Sequence, residues 1–205
     1  NIQCPAHLLA VATWTTDNIL NAKNKRPYEI IQSFQIGNKT QDNIFYKSME
    51  VLDDWIFWSG PPADNIITNG VVYRGDTTDW MNSIINDDLW ANLELSSKPG
   101  DPSANRFVYK SHQDPTKFVM GVCCYSSYTN REDISLGFAR GKPNPCILVI
   151  PNPPRRLSGT LSGLSLVPGE DEFLLMRDTF LNINGWIKDS GITYIYASVT
   201  SPDDF

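Results

Sequence analysis

Histidine is nearly missing from this 205-residue chain, which holds only His7 and His112. They stand far apart with no His-x-x-x-His spacing, and no Cys-x-x-Cys accompanies them, so the sequence offers no metal-ligand set. No Gly-x-Gly-x-x-Gly or Walker pattern occurs, which leaves ordinary Rossmann or P-loop nucleotide binding unsupported. Long apolar runs are missing too. Phe118–Tyr125 is among the longest, far short of the ~18 residues a membrane-crossing helix needs, and it reads as a buried strand. Positive charge is in deficit: seventeen Lys and Arg against twenty-three Asp and Glu leave a formal net charge of −6. Binding to nucleic acid by general electrostatics needs a cationic surface, and Arg155–Arg156 is the only arginine pair, so nucleic acid is set aside as a partner.

What remains is an ordinary globular balance, 41% hydrophobic and 20% charged, in a chain long enough to bury a core without staples. The four cysteines are Cys4, Cys123, Cys124 and Cys146. An even number suits two disulfides. Adjacent Cys123 and Cys124 are poor partners for each other, so Cys4 and Cys146 would each close one bridge; the alternative is four buried thiols in a reducing compartment. The chain opens at Asn1 without Met, as a processed secretory protein or a trimmed chain would. The expected localisation is therefore secreted.

The first 62 residues read as helical and residues 63–205 as strand-rich, within a single domain. In Asn43–Trp58 the positions Ile44, Phe45, Met49, Leu52, Trp55 and Ile56 recur at helical spacing. Thr40 or Asp42 suits the N-cap, and Gly60-Pro61-Pro62 ends the run. Ala6–Leu20 and Tyr28–Phe34 are weaker helices, and Trp80–Trp90 suits one more. Strands are expected at Gly70–Arg74, Arg106–Tyr109, Phe118–Val122, Cys146–Pro151, Glu172–Met176 and Ile192–Val199, each bounded by Gly, Pro, Asn or Asp. The fold class is α+β, a helical layer before a strand-rich core.

Three segments carry candidate chemistry. Val71-Val72-Tyr73-Arg74-Gly75-Asp76 is a strand ending in an arginine and a glycine. A guanidinium there can clamp a diphosphate or carboxylate, and the glycine lets a ligand approach the backbone. Most such arginines are surface ion pairs. In Leu164-Ser-Leu-Val-Pro-Gly-Glu170-Asp171-Glu172-Phe-Leu-Leu175 a loop feeds two carboxylates into an apolar strand. As strand residues Glu170 and Glu172 share one face, roughly 7 Å apart, close enough for two different jobs at one site. The plainer reading is a solvated loop end. Arg106-Phe-Val-Tyr109-Lys110-Ser111-His112-Gln-Asp114-Pro115 is a strand running into a polar turn, and alone it says little.

In this order the three segments resemble the mono-ADP-ribosyltransferase family, in its arginine–serine–glutamate class. That family has a Tyr-Arg-Gly-like strand, an aromatic strand ending in Ser-Thr-Ser, and Glu-x-Glu opening a later strand. Val72-Tyr73-Arg74-Gly75 matches the first, and Ser165–Leu175 the third. The stretch Met176–Phe180, the terminal strand Ile192–Val199 and the helical N-terminal layer also look like the family's, so the resemblance spans Asn43–Val199. The middle motif departs from the pattern. Tyr109-Lys110-Ser111 or Lys110-Ser111-His112 stands where Ser-Thr-Ser belongs, so Ser111 is the one serine retained.

The resemblance implies a strand-rich core of two packed sheets, NAD+ as substrate with no metal, and cleavage of the nicotinamide–ribose bond. It implies that Glu172 stabilises the cation developing on the ribose and that Glu170 activates an arginine acceptor on a target protein. Arg74, with Tyr73 and Gly75, would hold NAD+; Ser111 or Tyr109 would support Glu172; Phe118 or Tyr109 would stack the nicotinamide. A toxin-like or extracellular enzyme is implied, with a delivery subunit outside this chain as one further partner. Two other readings stay open: an NAD+ glycohydrolase using water as acceptor, and a weakly catalytic relative that binds a partner protein.

Overall fold

The computed structural model describes residues 5–16, 26–35, 43–56, 70–78, 106–110, 114, 116–122, 124–153, 158–160 and 172–200. Three helices come first: α1 (Pro5–Thr15), α2 (Pro27–Gln35) and α3 (Asn43–Asp54). Proline opens α1 and α2, where a helix has no use for that N–H. At α2 the Arg26 N–H donates to Glu29 Oε2 at 2.6 Å, one half of a capping box. Helix α3 starts where its periodicity does and runs into a π-type turn at Trp55–Ile56. Met49, Leu52, Trp55 and Ile56 are buried as the spacing requires, but Ile44 at the same period is exposed. The suggested N-caps Thr40 and Asp42 and the Trp80–Trp90 helix lie outside the described residues.

Nine strands follow among the described residues: β1 (Val71–Thr77), β2 (Arg106–Lys110), β3 (Phe118–Val122), β4 (Ser126–Thr129), β5 (Pro145–Pro151), β6 (Ser158–Thr160), β7 (Glu172–Leu175), β8 (Thr179–Asp189) and β9 (Ile192–Thr200). Helix α4 (Glu132–Arg140) lies between β4 and β5. The six expected strands are all present, five of them to within a residue at either end, while β4, β6, β8 and α4 add to them. The first runs on past Arg74 to Thr77, so Arg74 and Gly75 lie inside β1 rather than at its end. Hydrogen bonds link the strands in the order β2-β3-β8-β9-β5-β1-β4-β7-β6. The sheets expected from the resemblance are thus continuous with each other. Among the described residues only β5 and β9 run parallel. The β8–β9 hairpin turns on Ser190 and Gly191, both at positive φ (50° and 81°), the signature of the tight turn that matches strand twist.

Side-chain alternation splits the apolar residues between the two faces. Along β5, Cys146, Leu148 and Ile150 join a core drawn entirely from strands, with Met120, Phe173, Leu175, Leu181 and Ile195. Ile147 and Val149 point the other way, against Ala139 and Leu136 of α4. Along β7, Phe173 and Leu175 join the strand core, while Leu174 meets the helical layer with Ala10, Val11, Trp14, Ile31, Leu52 and Trp55. Tyr125 sits in that same helical cluster, its ring edge-on to Trp14 at 5.2 Å.

The cysteine expectation needs correction. Cys146 is a fully buried thiol of the strand core, and Cys124 is a buried thiol whose Sγ donates to the Gln32 carbonyl at 3.7 Å. Neither closes a disulfide. Cys4 and Cys123 lie outside the described residues.

Candidate active site

Strands β1, β4 and β7 are consecutive in the sheet, and their ends frame one cleft. Opposite residues of an antiparallel pair share a face. Thr129 faces Glu172 and Ser127 faces Leu174 across β4 and β7, which sets Ser127 and Glu172 diagonally on the same face. The Ser127 hydroxyl donates to Glu172 Oε1 at 2.5 Å, a short bond of the kind a charged acceptor makes. From β1, Arg74 Nη1 donates to the Ser127 carbonyl and Nε to Asp76 Oδ2, both at 3.0 Å. The guanidinium is thereby held with its side chain only 25% exposed.

Helix α4 closes the opposite wall. Gly75 allows this: a Cβ there would collide with the Ser135 carbonyl oxygen and lie 2.8 Å from the Ala139 nitrogen. The cleft encloses about 170 Å³. It is lined by Tyr73, Arg74 and Gly75 of β1, Ser127, Tyr128 and Thr129 of β4, Ile134, Ser135 and Phe138 of α4, Lys142 just beyond it, and Glu172. Lys142 Nζ approaches the Gly75 carbonyl at 3.5 Å. Burial, then the Glu132 carboxylate and Tyr196, push the Tyr73 hydroxyl above its ordinary value, so at neutral pH it is a neutral donor. Two cations, one oriented carboxylate and an exposed aromatic ring, Phe138, suit a ligand that carries both phosphate and a sugar or aromatic group.

Four of the expected residues meet in this cleft: Tyr73, Arg74, Gly75 and Glu172. Glu170 and Ser111 lie outside the described residues. Tyr109 is on β2, paired with Val119. Phe118 packs against the strand core and is not among the described lining residues. The hydroxyl expected to support Glu172 is that of Ser111 or Tyr109; the hydroxyl found on Glu172 is that of Ser127. Its signal was Tyr125-Ser126-Ser127-Tyr128-Thr129, hydroxyl residues on an aromatic segment, ahead of the glutamate strand. Phe138 and Lys142 were also missed, since they depend on α4. Among the described residues no group of three or more His, Cys, Asp or Glu side chains is placed to hold a metal ion. No helix there is long and apolar enough to cross a membrane.

No protein-family model and no curated protein matches the sequence. Solved structures do match. The ADP-ribosyltransferase HopU1 of Pseudomonas syringae pv. Tomato DC3000 aligns over 95% of this chain and 76% of its own, with a TM-score of 0.59 and 16% identity. Vis toxin, an ADP-ribosyltransferase from Vibrio splendidus, aligns over 98% and 75%, with a TM-score of 0.57 and 13% identity. The fold is that of the ADP-ribosyltransferases. C3stau2 from S. aureus, solved with NAD, adds a third alignment over 97% and 88%, at a TM-score of 0.56 and 19% identity. Vis has also been solved in complex with agmatine. On the ADP-ribosyltransferase fold of this chain, the cleft lies where β1, β4, β7 and α4 meet.

Proposed function

We propose that this chain is an NAD+-dependent mono-ADP-ribosyltransferase that cleaves the nicotinamide–ribose bond and passes ADP-ribose to an arginine of a target protein. One observation carries the reading: Ser127 holds the Glu172 carboxylate in the same cleft as Arg74, on a fold shared with ADP-ribosyltransferases.

Breaking the bond between ribose C1′ and the nicotinamide nitrogen leaves positive charge on the sugar, so a fixed anion beside it lowers the barrier. Glu172 is that anion and accepts a hydrogen bond from the ribose 2′-hydroxyl. Ser127, donating to Oε1, keeps the carboxylate from rotating away. Arg74 and Lys142 take the diphosphate. Phe138 and Tyr73 bound the cleft on the side of α4 and β1. Glu170 receives the acceptor guanidinium, whose pKa above ~12 requires a neighbouring carboxylate to take a proton as the nitrogen attacks C1′. NAD in C3stau2 and agmatine, a guanidinium compound, in Vis support this pairing of donor and acceptor. Vis is a toxin, which supports a secreted or host-delivered protein here, with any delivery partner outside this chain.

The test is ADP-ribose transfer to agmatine, followed beside nicotinamide release. Wild type should do both, and Glu170→Ala should release nicotinamide without labelling agmatine. Release indifferent to agmatine in the wild type would make the chain a glycohydrolase. No binding of NAD+ would leave a protein-binding relative on the same fold.

A further inference from the structure

Glu172 opens the four-residue β7 and Ser127 is the second residue of the four-residue β4, and a single carboxylate of the helical layer holds the end of this strand pair opposite Glu172. Tyr125 immediately precedes β4. Its hydroxyl bonds Asp53 of α3 and lies 2.8 Å from the Met49 carbonyl oxygen. Arg177 lies two residues beyond the end of β7. Its Nε is 3.0 Å from both oxygens of Asp53, and its Nη2 donates to Oδ2 at 2.8 Å. Asp53 therefore ties the start of β4 to the end of β7, at the end where Ser126 pairs with Leu175.

Stability alone is a poor reason for this bridge. Tyr125 and Leu174 already sit in the apolar helical cluster, and a partly buried ion pair costs desolvation that an apolar contact does not. Register is a better reason. If β7 slipped by one residue along β4, every β7 side chain would change face, and Glu172 would leave the face of Ser127. Four-residue strands have few ladder bonds to resist that slip. A slipped β7 would carry Arg177 away from a carboxylate that Tyr125 holds in place, leaving a half-buried guanidinium and carboxylate unpaired. The chemistry of the bridge agrees with this. The Asp53 contacts hold Arg177 above its ordinary pKa. Burial, reinforced by Asp53, keeps the Tyr125 hydroxyl protonated.

We infer that Asp53, Arg177 and Tyr125 are positioning residues that fix the Ser127–Glu172 geometry from the Ser126–Leu175 end of the strand pair. This rests on the reaction proposed above, in which Glu172 is the catalytic carboxylate.

The experiment uses the full chain with Asp53→Asn and Tyr125→Phe, each assayed well below its unfolding midpoint. Nicotinamide release gives kcat and KM for NAD+, and ¹³C NMR follows the Glu172 carboxyl titration without substrate. In Asp53→Asn, kcat should fall about tenfold while KM stays within about twofold, the pattern of a misplaced reacting group. The Glu172 titration should move up as the Ser127 donor loosens. Tyr125→Phe, the gentler change, should move both in the same direction by less, and it decides the matter if Asp53→Asn does not fold. A wild-type kcat with an unmoved Glu172 titration overturns the inference, and so does a change confined to KM. If wild type releases no nicotinamide, the proposed reaction is wrong, and the Glu172 titration then decides the positioning role by itself.

Discussion

Ser127 and Glu172 are 45 residues apart in sequence, and the serine hydroxyl sits 2.5 Å from the glutamate's Oε1. A hydroxyl fixed on one carboxylate oxygen makes Glu172 a directed anion rather than a rotating one. The Ser127 carbonyl simultaneously accepts from Arg74, so one residue of β4 touches both ends of the proposed NAD+ site.

Ser127→Ala removes that donor and leaves the strand pairing in place. The expected result is a loss of roughly ten- to hundredfold in kcat for nicotinamide release, with stability changed by about 1 kcal/mol or less. Ser111→Ala keeps the Ser127 bond and should have far less effect. Steady-state kinetics on the two variants side by side check this.

Gly75→Ala should damage the fold and not only the site. The added methyl meets the Ser135 carbonyl and the Ala139 nitrogen of α4. Backbone atoms of a packed helix cannot step aside cheaply. A loss of roughly 2–3 kcal/mol is expected, read from denaturant unfolding.

Asp178 follows Arg177 and adopts a positive φ of 56°. Burial is the main cause that raises its pKa above 3.8; Arg177 opposes this and Asp53 adds to it. A carboxyl whose folded pKa is raised binds its proton more tightly in the native state. Its stabilising contribution is present below about pH 4 and is lost as pH rises through the raised value. Asp178→Asn tolerates the same φ and carries no charge. It should melt slightly higher than the parent at pH 7, with the difference fading below about pH 4. Melting curves across that range test the sign.

The sequence spoke clearly wherever the decisive information was local. Apolar runs bounded by turn residues located Phe118–Val122 to the residue, and β5 and β9 to within one. Arg74 and Glu172 were readable because each ends or opens such a run. Ser127 was not, because Ser126-Ser127-Tyr128-Thr129 is short and polar. It is a strand only through its neighbours, β1 on one side and β7 on the other. Helix α4 did carry a signal, with Glu132 and Asp133 in its first turn and Arg140 in its last. Gly137 in its middle weakens that pattern. Strand β8 was hidden by Asn182, Asn184 and Gly185, which local propensity disfavours and pairing to both β3 and β9 overrides. Cys146 misled because composition cannot distinguish a core thiol from half of a disulfide.

Nicotinamide release from saturating NAD+ separates wild type from Glu172→Gln, with folding of both checked by circular dichroism. Release by wild type that falls at least about a thousandfold in the variant is the result expected if Glu172 stabilises the developing sugar cation. Equal release by the two folded proteins would contradict it.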